Sequence, residues 1–170
     1  SSVVSLVTAM NPGNATACDE LARVLRKTRQ WKSMLMLVEG VESSYGSTFQ
    51  PKTMYQNALY CCLEANKGDH AVRVLQSCLN KGIKPPMQTV DALVHHLSKR
   101  LQWRKAVLVL DLSQDNGIQR TLSMYNNILS ATSKTNDYVQ SKVVLNRLKR
   151  DGIQPDNMSY NCVLAACASS

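Results

Sequence analysis

The chain has 170 residues, 44% hydrophobic but only 5% aromatic, and its 20 Lys and Arg against 12 Asp and Glu give a formal net charge of +8. Such an excess favours a polyanionic partner, nucleic acid before anionic lipid, because clustered Lys and Arg release counterions from phosphates. The longest aliphatic runs, Met34 to Val38 and Ala106 to Leu110, fall far short of the roughly 20 residues that span a bilayer, so no membrane segment is predicted. Cys18, Cys61, Cys62, Cys78, Cys162 and Cys167 form no Cys-x-x-Cys pair, which speaks against a zinc site or a disulfide framework and for small buried apolar side chains in a reducing compartment.

In chain order, residues 1–14 are read as a helix of a preceding repeat, closed by the breaker Asn11-Pro12-Gly13. Residues 15–52 hold a helix with Leu21, Val24 and Leu25 on one face, a second helix opened by Gln30-Trp31, and a long loop GVESSYGSTFQPK. Residues 53–86 give TMYQNALYCCLEA, a turn at Gly68-Asp69, then HAVRVLQSCLNKG and an extended Ile83 to Pro86. Residues 87–121 repeat that order with Leu101-Gln102-Trp103 as the turn; Trp103, Ala106, Val107 and Leu110 mark a one-sided helix. Residues 122–156 follow, with Asn136 and Asp137 as caps of the second helix and Gly152 ending it. Residues 157–170 supply one further first helix. Opening without Met and stopping at Ser170 inside that helix, the chain reads as an excerpt.

A fixed period ties these elements together. Gly82, Gly117 and Gly152 are 35 apart, as are Ile83, Ile118 and Ile153. A period of this size means stacked supersecondary units that bury each other's faces, so the expectation is one all-α domain, an α-solenoid superhelix of helix-turn-helix repeats. The polar residues early in the first helices are taken as Asp19, Asn57, Asp91, Asn126 and Asn161, at steps of 38, 34, 35 and 35. The long loop accounts for the 38 and a shorter turn at Gly68 for the 34, which sets Asn57 rather than Gln56 in register.

Tyr125-Asn126 near a helix start, Gly152-Ile153-Gln154-Pro155-Asp156 at the close, and Tyr160-Asn161 opening the next copy resemble the pentatricopeptide repeat, in its P-type 35-residue form. Gly82-Ile83-Lys84-Pro85 and Gly117-Ile118 match further, with Arg120 where proline is usual. The resemblance covers residues 15–170 and implies a groove in which each repeat reads one base of single-stranded RNA with two or three side chains. The base-reading residues it implies are Asn57, Asp91, Asn126 and Asn161, with closing partners Thr121 and Asp156, and with Lys52 and Pro86 at the other closing positions. Asn126 with Asp156 is the familiar pairing, one implying uridine; the remaining pairs depart from the pattern. Met54, Gln88, Ser123 and Met158 stand where the family sandwiches bases. Lys27, Lys99 and Lys134 stand where it places a phosphate-contacting lysine, and Ala65 breaks that series.

Each site residue also has a plainer reading. The asparagines could bond nearby backbone, and the lysines could complement the negative end of a helix. Asp91 and His95, four apart and beside His96, lack a third metal ligand. Trp31 and Trp103 are read as core at the inter-helix turn. No phosphate loop, nucleophile elbow or deaminase signature is present, so no enzyme, cofactor, metal or small-molecule substrate is expected in these residues. The resemblance implies an RNA-binding module of mitochondrion or plastid that stabilises, processes or helps translate transcripts. The alternative is a non-catalytic scaffold that binds protein or ribosomal RNA within a large organellar assembly such as a mitochondrial ribosome.

Overall fold

The computed structural model describes residues 15–44 and 52–168; the segment read as a preceding helix lies outside them. Among the described residues there are nine helices and no strand. They are α1 (Ala15–Lys27), α2 (Trp31–Ser44), α3 (Lys52–Glu64), α4 (Gly68–Asn80), α5 (Met87–Lys99), α6 (Trp103–Asp115), α7 (Leu122–Lys134), α8 (Tyr138–Arg150) and α9 (Asn157–Ala168). The chain divides into two compact units, Ser1–Thr89 and Val90–Ser170, where the periodicity predicts a single domain.

In the first unit α1 packs on α2 and α3, and α3 packs on α2 and α4. Met34, Leu37, Met54, Tyr55, Leu59 and Leu75 are among its fully buried side chains. In the second unit α7 packs on α6, α8 and α9, over a core that includes Leu97, Leu110, Met124 and Ile128. At roughly 1.5–3 kcal/mol per fully buried aliphatic side chain, these faces supply most of the driving force. Cys18, Cys61, Cys62 and Cys78 are buried as predicted, and burial pushes the Cys62 and Cys78 thiols up to about 12; Cys162 is half-buried and Cys167 exposed.

Among the described residues, the period is built from one helix-ending device used at every turn. First helices end on a left-handed residue, Arg29, Asn66, Leu101 or Asn136 (φ 53 to 59°), and second helices on Gly82, Gly117 or Gly152 (φ 65 to 74°). In each case the next N–H reaches back five residues. Gln102 donates to the Leu97 carbonyl at 2.9 Å, Asp137 to Thr132 at 2.9 Å and Ile83 to Cys78 at 3.0 Å. These bonds satisfy carbonyls that the helix end would otherwise orphan.

The helix starts correct the register. First helices begin at 15, 52, 87, 122 and 157, steps of 37, 35, 35 and 35, and second helices at 31, 68, 103 and 138, steps of 37, 35 and 35. No repeat is shortened. Gly68 and Asp69 are the first helical residues of α4, not a turn, and α2 runs on to Ser44, through the start of the predicted loop. Gln56, not Asn57, therefore occupies the position of Asp91, Asn126 and Asn161. By the same step Thr53 replaces Met54, which is wholly buried, and Glu64 replaces Ala65 opposite the lysines. Lys52, the first residue of α3, aligns with Asn157 and is not a closing residue.

Candidate nucleic-acid interface

The predicted pair Asn126 and Asp156 forms one side-chain cluster. Asn126, on α7 and only 7% exposed, donates from Nδ2 to both Asp156 carboxylate oxygens at 3.1 Å. Asp156 also caps α9, accepting the Ser159 N–H at 2.8 Å. The Ser159 hydroxyl lies 2.6 Å from Asn126 Oδ1 and 2.9 Å from Asp156 Oδ1, and its single proton serves one of them at a time. The Ser159 N–H, then its hydroxyl and the Asn126 amide, hold the Asp156 carboxyl below the usual carboxylate range against a smaller opposing effect of burial. The exposed group is thus a charged acceptor fixed in place by a nearly buried amide.

The neighbouring pair is built differently. Thr121 caps α7, its hydroxyl oxygen accepting from the Met124 N–H at 3.2 Å. Asp91 Oδ2 accepts from the Ser123 hydroxyl at 3.4 Å, while Asp91 Oδ1 is buried without a hydrogen-bond partner among the described residues. In the first unit, Asp19 Oδ1 accepts from the Met54 N–H at 2.7 Å, tying α1 to the first turn of α3. Asn57 accepts from Arg26 Nη1 at 3.5 Å. Asn161, Gln88, Ser123 and Met158 are exposed. The early polar residues thus serve the fold as well: Asp19 and Asn126 each bond the first turn of the next repeat's first helix. The closing residues Thr121 and Asp156 cap helices, a role that the sequence reading gave to Asn136 and Asp137.

Lys27, Lys99 and Lys134 are the exposed last residues of α1, α5 and α7. Lys99 and Lys134 line one open cavity of about 230 Å³ with His95, Ser98, Asn127, Ser130 and Met158. Asn127 Oδ1 and His95 Nδ1 share a hydrogen bond of 3.2 Å, and the buried Ser98 hydroxyl has no partner among the described residues. Two ammonium groups beside hydroxyls and an amide suit an oxyanion. Sequence reading reached the lysines and missed Ser98, Asn127 and Ser130. Helical spacing holds the signal, since Ser130 and Asn127 stand four and seven residues before Lys134, and His95 four before Lys99.

Other expectations resolve locally. Trp103 is buried, while Trp31 is half-buried, edge-on to His70 with a 5.4 Å centroid separation and under the Lys67 ammonium at 4.9 Å. Arg120, in the place of the usual proline, bonds Gln114 Oε1 at 2.8 Å and Asp151 Oδ2 at 3.0 Å. Tyr125 donates to that same Asp151 oxygen, and burial, reinforced by this bond, pushes its phenol up to about 12. No group of three or more His, Cys, Asp or Glu able to hold a metal ion occurs among the described residues. No described helix is long and apolar enough to cross a membrane.

An all-α run of helix pairs repeating every 35 residues defines a helical-repeat protein of the α-solenoid class. Residues 108–170 match the sequence model of the pentatricopeptide repeat domain. No curated protein matches the chain in sequence. Among solved structures, nuclear proteinaceous RNase P 2 from A. thaliana is similar over 91% of this chain and 34% of its own, at 15% identity and a TM-score of 0.68. The pentatricopeptide repeat protein PPR10 in complex with an 18-nt psaJ RNA element is similar over 98% of this chain and 24% of its own, at 15% identity and 0.62. PPR10 from maize matches over 98% and 26%, at 16% identity and 0.60. The chain spans about a third or less of these proteins' lengths.

Proposed function

We propose that the chain is a single-stranded RNA-binding module that works by occupancy, masking or remodelling a transcript in organellar RNA metabolism. The observation that carries this reading is the second unit's pairing of two features. One is the Asn126–Asp156–Ser159 cluster, which presents a fixed acceptor to one base. The other is the Lys99 and Lys134 cavity, which offers phosphate contacts that carry affinity without sequence information. The likeness to PPR10, solved with an RNA element, supports it. Asn126, Asp156, Asp91, Thr121 and Asn161 are the proposed base-facing residues, with Gln56 in place of Asn57; Lys99 and Lys134 are the proposed phosphate contacts, and Lys27 holds the matching place in the first unit. We assign no catalytic step to these residues; one of the similar proteins is a ribonuclease, RNase P 2, three times longer than the matched part. That protein is nuclear, so the proposed mitochondrial or plastid location rests on the repeat family alone.

Fluorescence anisotropy titrations of the chain against the four homopolymers at several salt concentrations test the reading. Binding tighter than ~10⁻⁴ M with log K falling linearly in log salt is expected. Binding insensitive to salt, or absent, would favour the scaffold reading instead.

A further inference from the structure

One seam between first helices in each unit, α1 with α3 and α5 with α7, can be matched position by position, and the two are filled differently. α1 and α3 start 72 and 70 residues before α5 and α7. Arg23, Arg26 and Lys27 therefore correspond to His95, Ser98 and Lys99, and Asn57, Tyr60 and Glu64 to Asn127, Ser130 and Lys134.

In the second unit, small Ser98 and Ser130 leave the 230 Å³ cavity open and its lysines exposed. In the first unit, the corresponding side chains are Arg26 and Tyr60, and they occupy the seam themselves. The Arg26 guanidinium lies over the Tyr60 ring, 4.4 Å from its centroid. It donates to Glu64 Oε1 from Nε at 3.3 Å and from Nη2 at 3.2 Å, and to Asn57 Oδ1 from Nη1 at 3.5 Å. The place of a phosphate-binding ammonium is thus taken by a carboxylate, and that carboxylate already holds a cation stacked on an aromatic face. An entering phosphate would meet the Glu64 charge and would have to displace Arg26 from three partners.

We propose that the Arg26–Tyr60–Glu64 plug closes the first unit's seam to the RNA backbone, so that phosphate anchoring is confined to the second unit and Glu64 is the residue that excludes the strand. The proposal rests on the RNA-binding reading and adds a negative determinant to it. Lys27, although exposed, then stands beside a closed seam and contributes little.

The test uses the full chain and a fluorescein-labelled oligouridylate, titrated across salt concentrations, with Glu64→Lys, Glu64→Gln and Lys134→Glu beside the parent. Both Glu64 changes fall on a side chain 41% exposed, so the fold tolerates them. Glu64→Lys should open one or two further phosphate contacts, steepening the log K against log salt slope by ~0.7 to ~1.4 and tightening binding about fivefold near ~0.1 M salt. Glu64→Gln should move both in the same direction by less. Unchanged slopes in both Glu64 variants, with Lys134→Glu flattening the parent's slope, would overturn the plug and leave RNA binding standing. A parent that binds no oligouridylate would overturn both.

Discussion

At the scale of single residues, the second unit's proposed base reader is a three-member exchange of hydrogen bonds. Asn126 is nearly buried and satisfied by Asp156 and Ser159; cutting it back to alanine strips the Asp156 carboxylate of its amide donor and leaves the Ser159 hydroxyl with Asp156 alone, and should cost about 1–2 kcal/mol of stability by denaturant titration. On RNA, Asn126→Ala should change preference at one nucleotide and leave the salt slope alone. The Asp156 carboxyl is held below its ordinary range, so its stabilising effect is fully present above the unfolded value near ~3.9 and is lost as pH falls through the lower folded value. Asp156→Asn should therefore flatten the acid-side fall in melting temperature below about pH 4, read by circular dichroism. Asp91 shows the opposite economy, with one carboxylate oxygen buried and unpartnered among the described residues. Sequence spacing alone made Asp91 and Asn126 look equivalent; only the identity of the residue across from each, Ser123 or the Asp156 and Ser159 pair, separates them.

At the scale of the element, the repeat is defined by how its helices stop. Four first helices end on a left-handed residue, and two of the four are Asn, the non-glycine type that tolerates this conformation best. Leu101 holds φ 59° while 44% exposed, carrying the steric cost of a left-handed side chain, roughly 1–2 kcal/mol, with little burial in return. Leu101→Asn should raise stability by about 0.5–1 kcal/mol in denaturant titration; no change would show that packing at Leu101 outweighs the strain. Gly152→Ala meets no atom within 4 Å, so its expected loss of about 1 kcal/mol is backbone strain alone. The same scale explains the one-residue error in the sequence reading. The distance from Trp31 to Trp103 is 72 whether split as 37 and 35 or as 38 and 34, so the sum could not choose. Burial chooses: Met54 and Tyr55 sit fully inside, as Met124 and Tyr125 do, and the glycine at the head of α4 reads as a turn only until the left-handed Asn66 is seen to make that turn.

At the scale of the molecule, the periodicity made the all-α repeat class legible before any coordinates, because Gly, Ile and the helix lengths recur at one spacing. The division into two compact units was not legible, since the spacing is the same on both sides of Thr89. Nor was the difference between their seams. A net charge of +8 says nothing about which cations are free, and Arg26 is tied to Glu64 and Tyr60 while Lys99 and Lys134 face an open cavity. Under the proposed function, this cavity holds the RNA backbone without regard to sequence. This is tested most directly by titrating the parent and the Lys99→Glu, Lys134→Glu double variant against oligouridylate and oligoadenylate over a range of salt. The prediction is a salt slope reduced by about 1.4 in the variant, with equal proportional loss of affinity for both oligomers. A slope that does not change, or a loss confined to one of the two, would contradict it.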